Sequence, residues 1–126
     1  MPCRRGRARP PLTRHATGLA AEILAAERLE ADGWTILARR LRTGAGELDL
    51  VAERNGMLAF IEVKRRPTLA SAAAALSVRQ QSRLLGAAEA ALAAHPEWNH
   101  ASIRFDVVLV DGAGRVRRIQ DALRQG

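Results

Sequence analysis

Gly46-Glu47-Leu48-Asp49-Leu50-Val51-Ala52-Glu53-Arg54-Asn55-Gly56-Met57-Leu58-Ala59-Phe60-Ile61-Glu62-Val63-Lys64-Arg65-Arg66 is the stretch that decides how this chain folds. Two apolar-rich runs flank Asn55-Gly56, a dipeptide whose ease with positive φ makes it a strong hairpin signal. With these two residues as the loop, Arg54 opposes Met57, Asp49 faces Glu62 and Glu47 faces Lys64, all on one side of the sheet. Leu48, Leu50, Ala52, Ala59, Ile61 and Val63 then form an apolar face that must be core. On the first side, Val51, Leu58 and Phe60 lie towards the turn, and the charges gather at the open end. Register carries this reading, because a one-residue slip exchanges the faces.

Two carboxylates opposed across strands at about 5 Å repel. The cost is roughly 1 kcal/mol at water's dielectric and about 3 kcal/mol at an effective value of 20. A divalent cation between Asp49 and Glu62 reverses that sign, and hard oxygen ligands suit Mg²⁺ or Mn²⁺. The alternative is a solvated face on which Lys64 bridges Glu62 or Glu47, worth under about 1 kcal/mol. Composition adds a hint: 19 of the 20 basic residues are Arg, and Lys64 is the single lysine. A compact ammonium with a tunable pKa orients a water beside a metal better than a wide, permanently charged guanidinium does.

Working outward, Leu19, Ile23, Ala26 and Leu29 recur at helical spacing before Gly33, which predicts a first helix with that apolar stripe. Glu22 lies beside the stripe. It is either a half-exposed helix residue or a further ligand reaching the hairpin's open end, with Gly18 one turn earlier leaving room for close approach. Trp34 to Leu41 reads as a strand, and Ser77 with Gln80 has capping-box spacing ahead of a second helix to about Ala94. That helix is predicted to bury Val78, Leu85, Ala88 and Leu92. Strands at Ser102 to Asp111 and Arg115 to Ile119 complete an order αβββαββ, a single α/β domain with a mixed central sheet. Residues 1–14, with Pro2, Pro10 and Pro11 among arginines, read as a flexible basic arm, and 15–126 as the domain.

The 126 residues carry a formal charge of +7, but residues 1–21 contribute +5 and residues 115–126 contribute +3, leaving −1 for the middle. A basic arm neutralises phosphates or is simply a solvated tail. With 3% aromatics and no Tyr, base stacking on an aromatic platform is disfavoured. Cys3 is the only cysteine, which excludes an internal disulfide, and His15, His95 and His100 lack zinc-ligand spacing. No run of residues is long and apolar enough to span a bilayer, and no signal region follows the start, so the expected setting is cytoplasmic with no membrane partner.

Asp49 followed by Glu62-Val63-Lys64 resembles the D…(D/E)xK signature of restriction-endonuclease-like phosphodiesterases. Gly46 to Ala52, Phe60 to Arg66 and Phe105-Asp106-Val107-Val108 resemble the bacterial YraN family, as do Gly18…Glu22, Gly33-Trp34-Thr35-Ile36-Leu37 and Arg42. The resemblance runs over residues 15 to 120. It implies a restriction-endonuclease-like fold, distantly similar to archaeal Holliday junction resolvases. It further implies Asp49 and Glu62 as Mg²⁺ (or Mn²⁺) ligands with the Val63 carbonyl, Lys64 acting on the attacking water, and Glu22 completing the site. The family pattern commonly carries Asn where this chain has Arg40, Gly where it has Ala21, and a basic residue where it has Gln80.

The expected function is a metal-dependent nuclease acting on DNA, including branched or structured DNA, with Arg39, Arg40, Arg42, Arg65, Arg66, Arg79 and Arg83 contacting phosphates. Each of these arginines also reads as an ordinary solvated surface residue. A homodimer would let one small active site per chain cut two strands symmetrically. The competing readings are a non-catalytic nucleic-acid-binding module of the same fold and a partner-binding scaffold, the latter requiring a large exposed apolar patch.

Overall fold

A computed structural model describes residues 14–67 and 76–122, with the side chains of 14–17 left undescribed. The elements are α1 (Arg14–Ala31), β1 (Thr35–Thr43), β2 (Gly46–Arg54), β3 (Met57–Arg65), α2 (Val78–Ala94), β4 (Ser102–Val110) and β5 (Val116–Ile119), the αβββαββ order that the sequence predicts. Of the expected arm, only Arg14 falls within the described residues, as the first residue of α1, and the Ala-rich connection at 68–75 also lies outside them.

The five strands form one sheet in sequence order, β1-β2-β3-β4-β5. Neighbours run antiparallel except β3 and β4, which are parallel and joined across the sheet by α2. The sheet is therefore mixed. Asn55 (φ 51°) and Gly56 (φ 82°) both take positive φ, the backbone of the type I′ loop that the dipeptide predicts. The β2–β3 register follows, with Arg54 opposite Met57 and Leu50 opposite Ile61.

Each face of the sheet carries one helix. Against α1 lie Leu50, Ala52, Ala59, Ile61, Val108 and Val110; against α2 lie Leu48, Val51, Leu58, Phe60, Val107 and Leu109. Leu48 is thus on the opposite face from Leu50, so the single apolar face expected from Leu48 to Val63 is corrected at its open end. Pairing of β1 with β2 keeps one register from Ala38–Val51 to Thr43–Gly46, its shift lying between Ile36 and Ala38. The switch of faces falls beside Arg40, which lies between the Arg39–Leu50 and Leu41–Leu48 pairs and has φ 51°.

Both helices bury part of the stripe expected (Ala26 and Leu29 on α1, Ala88 and in part Leu92 on α2), but alanines largely replace the larger residues in the rest. On α1 the buried residues are Ala21, Ala25, Ala26 and Leu29, and Ile23 is 50% exposed. On α2 they are Leu84, Ala87, Ala88 and Ala91, while Val78 is 80% and Leu85 44% exposed. Alanine stripes let a helix axis approach the sheet closely, and the large strand side chains supply the volume between. Phe60, fully buried, also stacks on Phe105 at 5.6 Å.

The start of α2 is the capping box expected from Ser77 and Gln80: Ser77 Oγ accepts from the Gln80 N–H at 3.1 Å, and Gln80 Oε1 accepts from the Ser77 N–H at 2.9 Å. Ser77→Ala is expected to cost about 1 kcal/mol, read as a shift of the urea midpoint at unchanged slope. Asp106 is a structural acid, fully buried and held by Arg104 at 2.8 and 2.9 Å and by the Asp121 N–H at 2.9 Å. Among the described residues no helix is long and apolar enough to cross a membrane.

Candidate active site

The β2–β3 ladder runs to Leu50–Ile61, and just beyond it the Val63 N–H donates to the Asp49 carboxylate at 2.8 Å. A side chain thus takes the bond that a partner-strand carbonyl would accept in a continued ladder. The expected flat opposition of Asp49 with Glu62 and of Glu47 with Lys64 gives way to splayed strand ends. Glu47 leaves the group: it pairs with Arg42 of β1, in register and through an ion pair at 3.6 Å.

The splayed end opens on a cavity of about 390 Å³ lined by Glu22 and Ala21 of α1, Asp49 of β2, and Glu62, Val63 and Lys64 of β3, with Gly18, Arg65 and Arg66 at its margins. Every residue expected at the catalytic and metal site therefore meets in one place. Gly18 makes no close approach, since a Cβ there would meet nothing within 4 Å. Of the arginines expected at phosphates, Arg65 and Arg66 line this cavity and a second of about 280 Å³ beside Asp111 and Gly112. Arg40 pairs with Glu22 at 3.7 Å, Arg83 with Glu62 at 3.7 Å and Arg39 with Glu30 at 3.9 Å. Arg79 stands exposed on the first turn of α2.

Burial pushes the Asp49 carboxyl up to about 7, opposed by the Val63 N–H and reinforced by the nearby charges of Glu62, Glu22 and Glu47. Lys64 is only 8% exposed, with Nζ 4.0 Å from Glu62. Desolvation lowers its pKa; Arg66 and Arg83 act in the same sense, against the pull of Glu62 and Asp49. The pocket holds an acid that resists ionising and an amine that resists charging, the pairing of perturbed groups typical of catalytic clefts.

The fit to a divalent cation is specific in one respect. Among the described residues no three His, Cys, Asp or Glu side chains are grouped to cage a metal ion. Mg²⁺ rarely uses such a cage; it takes one or two carboxylates and completes its shell with water and substrate phosphate. Asp49 and Glu62 are the two β-strand carboxylates that line the cavity and could serve in such a set. The cost of holding Asp49 ionised is what a cation would offset.

Sequence reasoning placed the arginines at the surface and missed that Arg40 and Arg83 reach the site's carboxylates from opposite elements. Gly46 was the available signal. Its φ is +146°, and a Cβ there would stand 2.9 Å from Arg83 Cγ, so the Arg83 stem crosses a position that only glycine leaves open.

Fold and site together define a small mixed α/β domain whose central hairpin splays around two acids and a buried lysine. The chain belongs to Uncharacterised protein family UPF0102, the YraN family, whose model matches residues 21–110. A UPF0102 protein of Granulibacter bethesdensis is 61% identical over 107 residues, 85% of this chain and 68% of that one. A UPF0102 protein of Azorhizobium caulinodans is 53% identical over 108 residues, 86% and 82% of the two chains. Among solved structures, Pyrococcus furiosus SfsA in complex with Ca²⁺ is similar at a TM-score of 0.31 and 16% identity, over 82% of this chain and 63% of that one. The chain thus spans less than two thirds of SfsA.

Proposed function

We propose that this protein is a divalent-cation-dependent phosphodiesterase acting on DNA, including branched or structured DNA. The observation that supports the reading is the convergence of Asp49, Glu62 and Lys64, with Glu22, on one open cavity edged by Arg65 and Arg66. Asp49, Glu62 and the Val63 carbonyl would hold Mg²⁺ or Mn²⁺. When bound, the cation supplies Lewis acidity towards a phosphate oxygen and acidifies water. The Val63 N–H fixes the Asp49 carboxylate against the strand. Lys64, poorly hydrated and beside Glu62, orients the attacking water and accepts or balances its proton. Arg65 and Arg66 attract and align the phosphate backbone without reading sequence. A cytoplasmic setting and a homodimer that pairs two such sites are part of the same proposal.

A non-catalytic module of this fold is favoured by one feature: Arg83 and Lys64 already stand 3.7 and 4.0 Å from Glu62, where a cation would bind. Mg²⁺ and Mn²⁺ titration calorimetry on the wild type, Asp49→Asn and Glu62→Gln decides between them, with the same samples incubated with duplex, single-stranded, flap and four-way-junction DNA. The expected result is a metal isotherm that both substitutions abolish, with metal-dependent cutting of at least one substrate. Absence of metal binding even with DNA present would leave the binding module.

A further inference from the structure

Arg83 is placed with more care than a surface phosphate contact needs. Its stem crosses Gly46, where a Cβ would stand 2.9 Å from Cγ and 3.3 Å from Cδ. Beyond that crossing, Nη2 lies 3.7 Å from Glu62 Oε2, the same oxygen that faces Lys64 Nζ at 4.0 Å. The Glu62 side chain is mostly buried, whereas that of Arg83 is 48% exposed. At 3.7 Å the contact is beyond hydrogen-bond range, so it is a charge contact held without directional bonds and exchanged at little cost. A divalent cation on Glu62 and a guanidinium beside it repel each other. The guanidinium fork, once displaced, matches the geometry of a phosphate.

We propose that Arg83 is a positioning residue that holds Glu62 in the metal-free protein and passes to a DNA phosphate when a divalent cation takes that carboxylate. Cation and DNA then bind cooperatively, each releasing the contact that opposes the other, and the coupling is reciprocal. The inference rests on the metal-dependent reading above and deepens it by assigning one residue to both ligands.

The test uses the full chain as wild type, Arg83→Met and Arg83→Gln, each first checked by a thermal melt in EDTA. Two uncharged variants keep the test open if one of them folds poorly. Mn²⁺ affinity is measured by calorimetry without DNA. Binding of a labelled phosphorothioate duplex is measured by anisotropy, with and without Mn²⁺, across a KCl series. Loss of the guanidinium is expected to tighten Mn²⁺ binding about fivefold in the absence of DNA. Duplex affinity in Mn²⁺ is expected to fall, with a salt slope shallower by about one, and the stimulation of duplex binding by Mn²⁺ to shrink. A purely structural Arg83 would weaken both ligands and leave the slope unchanged. Mn²⁺ affinity that is unchanged or weaker in both variants, against a normal wild-type isotherm, overturns the role of Arg83 and leaves the metal site standing. A wild type that binds no Mn²⁺ overturns both.

Discussion

In EDTA at pH 8, Asp49→Asn is expected to be more stable than the wild type by about 2 kcal/mol, and the gain is expected to vanish near pH 4. In the fold the Asp49 carboxyl is pushed up to about 7, against its ordinary value of 3.8. The folded state therefore binds more protons than the unfolded state between those values, and stability falls as pH rises through that window. Below about 4 both states are protonated and the carboxyl costs nothing; above 7 its full penalty is present. Three pKa units would be worth about 4 kcal/mol for an enclosed group. Asp49 borders an open cavity, and solvent screening brings the expectation to about half of that. Asn keeps an oxygen for the Val63 N–H, so the substitution removes charge without orphaning the donor. Urea unfolding from pH 4 to 8 is the measurement. Equal stability at pH 8, or a gap that widens on acidification, would show that Asp49 is not the strained group inferred. Mg²⁺ added to the wild type at pH 8 should recover part of the difference, because a cation removes the same repulsion.

Lys64→Arg is expected to lower DNA cleavage about 10³-fold while leaving duplex affinity within about twofold. The substitution keeps the positive charge, so phosphate attraction survives. It removes the two properties that the site supplies to Lys64. The amine sits 8% exposed beside Glu62, where a wider planar guanidinium with five donors presents its charge in a different geometry. Desolvation also lowers the lysine pKa, whereas a guanidinium stays charged whatever its surroundings. The loss should fall on kcat rather than KM. A Lys64→Arg protein that cleaves within a few-fold of the wild type would remove Lys64 from the chemistry. Lys64→Met separates the two effects, since it fits the space and lacks both charge and base.

Much of this molecule is legible along the chain because its signals are local. Asn55-Gly56 sets the loop, the loop sets the β2–β3 register, and register sets which of Leu50, Ala52, Ala59 and Ile61 are buried together. Ser77 and Gln80 mark the start of α2 for the same reason: a cap is an interaction within four residues. The helix faces are different. Leu85 and Val78 are more apolar than Ala87 or Ala91, yet they face water, because the sheet beneath already fills the space and only a small-residue stripe can approach it.

Arg40 shows where the linear pattern breaks down. Strict alternation places Leu48 with Leu50, but they lie on opposite faces, beside the left-handed backbone of Arg40 in the neighbouring strand. The sequence by itself determined the element order, the hairpin and the gathering of Asp49, Glu62 and Lys64 at its open end, because spacing and residue type within one hairpin suffice for these. Only the tertiary structure decided that Glu47 turns to Arg42, that Glu22 joins from α1, and that Arg40 and Arg83 meet the carboxylates. Those contacts depend on how far one element's long side chains reach into another's open end. That distance is set by helix-on-sheet packing and strand splay, which no local pattern encodes.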